Sequence, residues 1–387
     1  MKWLVLVCMM LLGIIAGTDL MANCFHNLKR LHIGRWKNRG DWEEAVKIRS
    51  YKWLKRTPTV KMTDNAEFLI FDILQGKRRN DTIQSWQMAG LVLGINCVRD
   101  EESQKKISEW KNTILNSNGT WKRPVKKVDF AMLGYAVLRT ENNIEKVRPA
   151  MDWIIQMLED NMCEDGMISY SQGKRSPVRF IDTLGMVCPF LALYGKKYGK
   201  FQYIDIAVKQ IENFHKQAMC METELPCHAF DVGQHLPLGI YGWGRGAAWY
   251  MLALIDTWRE LEKNEYKIFL ENYIYKAAEC YSKYQQGDGG FNTILQGGGT
   301  YDSSVTAAMA YFYSCCSMIF GNKEFKAISE KCMTKLISVT MKNGAIDQCQ
   351  GDTHGIGVFS QVFDIMPFVQ GLVLRVVFGE KCNKIDT

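Results

Sequence analysis

Carboxylates, two arginines and several aromatic residues are gathered at five points in this chain, each just ahead of an apolar run. Trp121 and Asp129 precede one run, and Tyr170, Arg179 and Asp182 precede the next. His228, Asp231, Tyr241, Trp243 and Arg245 precede a third, with Trp249 one turn inside it. Asp288, Phe291, Tyr301 and Asp302 precede a fourth, and Asp352 and His354 a fifth. Brought together, two aspartates can divide acid and base work. Aromatic faces suit the C–H faces of sugars, while charged and polar groups bond their hydroxyls. Each residue also has a plainer role. An aspartate at a helix start commonly caps it, a lone histidine is commonly structural, and Trp or Tyr can be core. Other chemistries lack their signatures. There is no Gly-x-Ser-x-Gly elbow, no Gly-x-Gly-x-x-Gly after a strand and no Cys-x-x-Cys pair, and the six histidines show no metal spacing. Gly287-Asp288-Gly289-Gly290 reads as a turn, since no Lys-Ser/Thr follows it.

The elements that carry these residues are helices. Periodicity predicts twelve, near 41–56, 81–97, 101–116, 127–140, 143–160, 180–197, 201–218, 244–263, 266–286, 302–320, 323–342 and 357–378. Strand-like alternation is nearly absent. Two kinds of helix alternate. Odd-numbered ones are amphipathic: Ile204, Ala207, Val208, Ile211 and Phe214 form one stripe among Asp205, Lys209, Gln210 and Glu212. Even-numbered ones are apolar nearly all round, as in Leu184–Leu193 and Val305–Tyr313, and must be enclosed by protein. Six hairpins of an outer amphipathic and an inner apolar helix predict an all-α (α/α)6 toroid. An open α-solenoid is the rival, but no clear repeat is visible in the residues. In a toroid the inner helices run parallel, so their N-terminal ends share one mouth. The residues named above all fall there, whereas odd-helix starts hold mostly solvated Glu, Lys and Asn. That asymmetry predicts one pocket.

The 387 residues carry a formal charge of +7. Residues 1–40 hold Lys2, Lys29, Arg30, Arg35, Lys37 and Arg39 against Asp19 alone, which leaves the other 347 residues near neutral at +2. This argues against a nucleic-acid partner. The apolar run Trp3–Ala16 predicts a signal peptide or membrane anchor over 1–22, followed by a basic juxtamembrane segment over 23–40 and a catalytic domain over 41–380. The chain is thus expected to be membrane-anchored or secreted. The basic cluster behind the run favours keeping that side in the cytoplasm, against the export signal. The thirteen cysteines are scattered and build no disulfide scaffold, although Cys220 and Cys227 share a loop and could pair. Oligomeric state is left open.

Tyr241-Gly242-Trp243-Gly244-Arg245-Gly246-Ala247-Ala248-Trp249 resembles the Trp-Gly-Arg-Gly-x-x-Trp motif of the unsaturated glucuronyl and rhamnogalacturonyl hydrolases, glycoside hydrolase families 88 and 105. Phe180-Ile181-Asp182-Thr183-Leu184-Gly185-Met186 resembles the segment carrying that family's catalytic aspartate, and Val128-Asp129 with Gly134 the segment carrying its second. Cys227-His228-Ala229-Phe230-Asp231 resembles a His-Ala-Tyr-Asp element, and Tyr301-Asp302-Ser303-Ser304-Val305-Thr306-Ala307 a Glu-Thr-Ser-x-Thr-Ala element. The resemblance spans about residues 40–378. It implies a six-hairpin glycosidase acting on oligosaccharides that end in a 4,5-unsaturated uronic acid, with no metal or organic cofactor. By carry-over Asp182 is the general acid/base and Asp129 its partner. His228 and Arg245 bind hydroxyls or the uronate. Trp243, Trp249, Tyr241 and Trp121 stack on sugars, with Tyr170 and Asp302 also at the substrate. Two departures bear on substrate identity. Ala247-Ala248 stand where Asn-Gly is usual, and no histidine lies in 166–179. An inverting glycosidase on the same fold, and a non-catalytic carbohydrate-binding toroid, are the alternatives.

Overall fold

The structure, a computed structural model, describes residues 2–61, 70, 74, 80–170 and 176–383. Among the described residues a long helix α1 (Lys2–Arg30) stands ahead of twelve others. These are α2 (Arg39–Lys55), α3 (Ser85–Val98), α4 (Glu101–Ile114), α5 (Phe130–Arg139), α6 (Ile144–Asp160) and α7 (Ile181–Tyr198), then α8 (Gln202–Ala218), α9 (Gly244–Glu260), α10 (Glu265–Ser282), α11 (Ser303–Phe320), α12 (Lys323–Ser338) and α13 (Pro367–Asn383).

Even- and odd-numbered helices now divide the labour as the burial pattern dictates. Outer α4 buries only Ser103, Ile107 and Trp110, one stripe at helical spacing. Inner α11 buries every residue from Ser303 to Tyr313. The six inner helices α3, α5, α7, α9, α11 and α13 each pack on the next, and α13 packs back on α3. The ring is therefore closed: an (α/α)6 toroid, not an open solenoid. Glycines allow the closing seam. A Cβ on Gly371 would lie 1.9 Å from the Gly90 carbonyl oxygen, and one on Gly94 would lie 2.3 Å from that of Gly371. Only bare backbone lets α3 and α13 approach so closely.

Below the mouth the ring is filled by an ion network. Asp256 accepts from the Tyr311 hydroxyl (2.8 Å) and from Arg375 Nη1 (2.9 Å), and Arg259 Nη1 donates to Tyr311 (2.9 Å). Asp256, Tyr311 and Arg375 are all buried, so side chains occupy the ring at this level.

Helix bounds agree with the periodicity to within about a turn, with one exception. The last helix, expected from 357, begins at Pro367, a residue suited to a first helical turn. Ahead of it lie β7 (Cys349–Gln350) and β8 (Phe363–Asp364). Short strands also contradict the near absence of strand signal. β1 (Thr59–Lys61) pairs with β2 (Asn80–Thr82). β5 (Leu225–Asp231) pairs antiparallel with β3 (Val178–Phe180), β4 (Met219–Cys220) and β6 (Leu236–Tyr241). Every residue of β5 is buried, so it shows no alternation to read. Cys220 and Cys227, at neighbouring ends of this sheet, are free thiols, and the Cys227 thiol donates to the Ala229 carbonyl (2.9 Å). α1 runs through the expected boundary at residue 22 without a break.

Candidate active site

Asp182 lies in the first turn of α7, directly after β3. The register of β3 on β5 sets Phe180 opposite Ala229, which brings His228 to the same turn. His228 Nε2 stands 3.7 Å from Asp182 Oδ2. The other ring nitrogen, Nδ1, accepts the Gly357 amide (3.3 Å), so Nε2 carries the hydrogen and points it at the carboxyl. The ring is wedged beside Trp243 (4.6 Å between centroids) and Phe359 (5.7 Å). Burial pushes His228 down to about 4, so it is neutral and forms no ion pair with Asp182 at ordinary pH. Burial pushes Asp182 up to about 7, with Asp352 adding to the rise and Arg245 and a bond from Trp249 opposing it. Asp182 Oδ2 has no hydrogen-bond partner. A carboxyl half protonated at neutral pH, with a free buried oxygen, is equipped to give and take a proton.

Arg245, in the first turn of α9, is the cation of the site. Its Nε donates to Ser304 (3.2 Å), and Nη2 donates to the Gln350 carbonyl. Nη1 stands 3.6 Å from Asp352 Oδ1. Asp352 in turn accepts from Gln84 Nε2 (2.6 Å). Burial raises Asp352 as well, against the pull of Arg245. Asp129 stands at the start of α5 but caps nothing, its backbone being helical at φ −61° and ψ −18°. Its Oδ1 is buried without a partner, and burial raises its carboxyl too, opposed chiefly by Lys127. Tyr170 lies among these carboxyls. Its hydroxyl is driven up by burial and then by the negative charges of Asp129, Asp182 and Asp352 around it.

A cavity of about 100 Å³ lies between these groups, walled by Trp86, Tyr170, Asp182, Trp243, Arg245, Trp249 and Asp352. Trp86 meets Trp249 edge to face at 5.3 Å. Most of the expected residues converge here: Asp182, Tyr170, Trp243, Arg245 and Trp249 on the wall, His228 against Asp182, and Asp129 beside Tyr170. Three do not reach it. Asp302 is fully buried as the cap of α11, bonding Ser304 and the Gln350 amide (3.1 Å), and so stands behind Arg245. Tyr241 lies near Cys220 and Cys227 at the end of β6. Trp121 lines a separate cavity of about 630 Å³ with Trp110, Phe130, Arg56 and Arg123; Gln84 belongs to both cavities. Trp86 and Gln84 escaped the sequence reading, although the rule that inner-helix starts carry the site points to them at the head of α3. Among the described residues no group of three His, Cys, Asp or Glu is arranged to hold a metal.

The profile of Glycosyl Hydrolase Family 88 matches residues 41–374. The chain belongs to that family. It is a glycoside hydrolase of family 88, and its match covers the whole toroid from α2 into α13. Several solved structures share the fold. A possible member of the GH105 family from Klebsiella pneumoniae superposes with a TM-score of 0.73 at 18% identity, covering 90% of this chain and 95% of that one. The unsaturated glucuronyl hydrolase of Bacillus sp. GL1, described as responsible for the degradation of glycosaminoglycan, gives 0.62 at 15% identity, covering 88% and 95%. An unsaturated glucuronyl hydrolase specific for heparin gives 0.67 at 13% identity, covering 90% and 99%. Among curated proteins there is no match.

Proposed function

We propose that this family 88 enzyme removes a terminal 4,5-unsaturated uronic acid from lyase-generated oligosaccharides by hydrating the C4=C5 vinyl ether. The observation that carries the reading is Asp182: a cavity-wall carboxyl with an unpartnered oxygen, held up to about 7. Asp182 gives its proton to C4, and positive charge develops at C5 and the ring oxygen. The carboxylate left behind takes a proton from water, whose oxygen bonds to C5. The hemiketal at C5 opens to a ketone and returns the ring oxygen to C1 as a hydroxyl. C1, now a hemiacetal, releases the second sugar as an alcohol and becomes an aldehyde. One carboxyl serves both proton transfers and ends protonated as it began.

Arg245 lies where the uronate carboxylate can be met, and Trp243, Trp249 and Trp86 offer faces for the sugar ring. Asp129 and Tyr170 orient the donor. The leaving sugar extends past Gln84 toward Trp121, where Arg56 and Arg123 give the larger cavity a basic rim. Pectic rhamnogalacturonan fragments are the first substrates to try, and glycosaminoglycan fragments the second.

The test is turnover of unsaturated disaccharides, followed as loss of the ultraviolet absorbance of the conjugated double bond. In heavy water the product carries deuterium at C4. Cleavage of saturated glycosides with no action on unsaturated ones removes the hydration mechanism in favour of ordinary glycoside hydrolysis. Sugar binding without turnover of either class favours a carbohydrate-binding toroid.

A further inference from the structure

The basic N-terminal segment is bolted to the catalytic end of the ring. Arg30, the last residue of α1, makes a double hydrogen bond to Asp347, with Nη2 at 2.8 Å from Oδ1. The Asp347 side chain is 0% exposed, so this partner is built into the body. Four residues on, the Gly34 amide donates to the Thr340 carbonyl (2.9 Å), and Trp36 Nε1 donates to the same oxygen (3.3 Å). Gly34 has φ +69°, and a Cβ there would lie 2.4 Å from the Ser338 carbonyl oxygen, so the approach needs glycine. Trp42 Nε1 then donates to the Thr340 hydroxyl (2.9 Å).

The segment that receives Arg30 is also a wall of the active site. Two residues beyond Asp347, the sulfur of Cys349 accepts from Arg245 Nη2 at 3.6 Å, and the next carbonyl, of Gln350, accepts from the same guanidinium. α1 therefore leaves the ring from its open mouth, not from the filled end.

α1 itself has no buried residue. Its side chains from Trp3 to Ile14 are apolar on every side of the helix and stand in the open, a state that requires an apolar surrounding. Its most apolar 18-residue stretch has a mean hydropathy of 2.3. The helix is continuous from this stretch through residues 17–22 to Arg30. From Ala22 to Arg30 is eight residues, or about 12 Å of helix whatever its tilt. The mouth is thereby tied close to the boundary of whatever apolar phase holds α1. Lys29, Arg35 and Lys37 are exposed around this junction. The mouth rim also carries exposed apolar side chains, Leu236, Ile240 and Val358.

We infer that α1 is retained as a membrane anchor and that the catalytic mouth of the ring is held toward the bilayer, with Lys29, Arg35 and Lys37 against anionic lipid headgroups. Exposed lysines and arginines at a membrane surface each favour anionic lipid, and the effect weakens with salt. The filled end of the ring, with exposed Phe201 in the turn ahead of α8, then faces away. This holds whether or not the hydration chemistry above is right, since it concerns placement of the mouth alone.

The test uses the full chain reconstituted into vesicles of phosphatidylcholine with phosphatidylglycerol. A fluorescent amino acid replaces Val358 at the mouth or Phe201 at the far end, one at a time, and quenching by headgroup-labelled lipid is read. The expected result is several-fold stronger quenching at position 358 than at 201. The triple change Lys29→Gln, Arg35→Gln and Lys37→Gln is expected to weaken quenching at 358 in these vesicles and to leave it unchanged in pure phosphatidylcholine. Equal quenching at the two positions, stronger quenching at 201, or a mass of the membrane-extracted protein showing that α1 has been removed overturns the inference. A triple variant that behaves as the parent in both vesicles overturns the role given to the three cations.

Discussion

Asp352 is the residue through which the charge logic of the site can be tested most sharply. It stands 3.6 Å from Arg245 Nη1, where an incoming uronate carboxylate would compete for the same guanidinium. At an effective dielectric of about 20, the attraction between unit charges at that distance is roughly 4–5 kcal/mol. Arg245 also faces Asp182 and Asp302, so only a share of this is released when the rival is neutralised. A third of it, about 1.4 kcal/mol, is tenfold in an equilibrium constant. Asp352→Asn keeps an oxygen to accept from Gln84 and removes the charge. KM for an unsaturated disaccharide is therefore expected to fall about tenfold at neutral pH. With the methyl ester of the same uronate, which has no charge to compete, KM is expected to hold. The gap between parent and variant closes as pH falls, because Asp352, raised by burial, becomes protonated in the parent. The variant also loses one of the charges that raise Asp182, so the alkaline limb of its rate profile moves below that of the parent. Steady-state absorbance kinetics across pH read all of this. A KM that stays put, or that falls equally for the ester, refutes the reasoning.

Asp182→Asn is expected to lower kcat by about 10²–10⁴ with KM within a few-fold, as loss of a general acid demands. The parent's activity falls as pH rises through about 7, where Asp182 loses its proton. The same raised carboxyl has a stability sign. The folded chain holds a proton that the unfolded chain, with an ordinary aspartate, releases between about pH 4 and 7, so stability drops across that window as pH rises. Asp182→Asn is thus expected to melt higher than the parent at pH 8 and alike at pH 4. Replacing Arg56 and Arg123 by Gln is expected to raise KM several-fold for substrates whose leaving sugar is acidic and to spare neutral ones, in the same assay. Asp256→Ala strands Arg375 in the filled part of the ring, at an expected cost of about 3–5 kcal/mol in urea unfolding.

The ring was legible because burial writes itself into composition. An inner helix such as α11 has no wet face, so its run Val305–Tyr313 carries almost no polar interruption, while outer α8 must alternate. That contrast, repeated six times, is enough to place every inner N-terminus at one mouth. Five residues that wall the cavity, Tyr170, Asp182, Trp243, Arg245 and Trp249, were legible by the same route and by the Trp-Gly-Arg-Gly stretch. What stayed hidden depends on partners distant in sequence. Asp302 looks like Asp182 from its position ahead of an inner helix, yet one caps and the other does not. The difference is made by Ser304 and by Gln350, a residue 48 positions away. Trp121 is an aromatic at a loop like Trp243, but the turn that carries it faces α6, where its Nε1 meets the Ala150 carbonyl (2.8 Å). β5 was hidden because a strand covered on both faces has no period of two.

The architecture also sets the problem that the role proposed for Asp182 has to meet. Six parallel inner helices point their N-terminal ends at the mouth, and each end behaves as a fraction of a positive charge. Arg245 adds a full one. Such a field favours ionised carboxylates, and a general acid placed in it would ordinarily be stripped of its proton. Neighbouring carboxyls counter the field, and burial does the rest: for Asp182, Asp129 and Asp352 alike, loss of water is the largest influence and it acts upward. The tryptophans that wall the cavity therefore have a second role beyond holding a sugar ring. By lowering the hydration of Asp182 they favour the protonated form on which the proposed reaction draws first. The acid proposed here stands at the positive end of a helix, so the burial supplied by the apolar inner ring and the chemistry proposed at its mouth belong to one design.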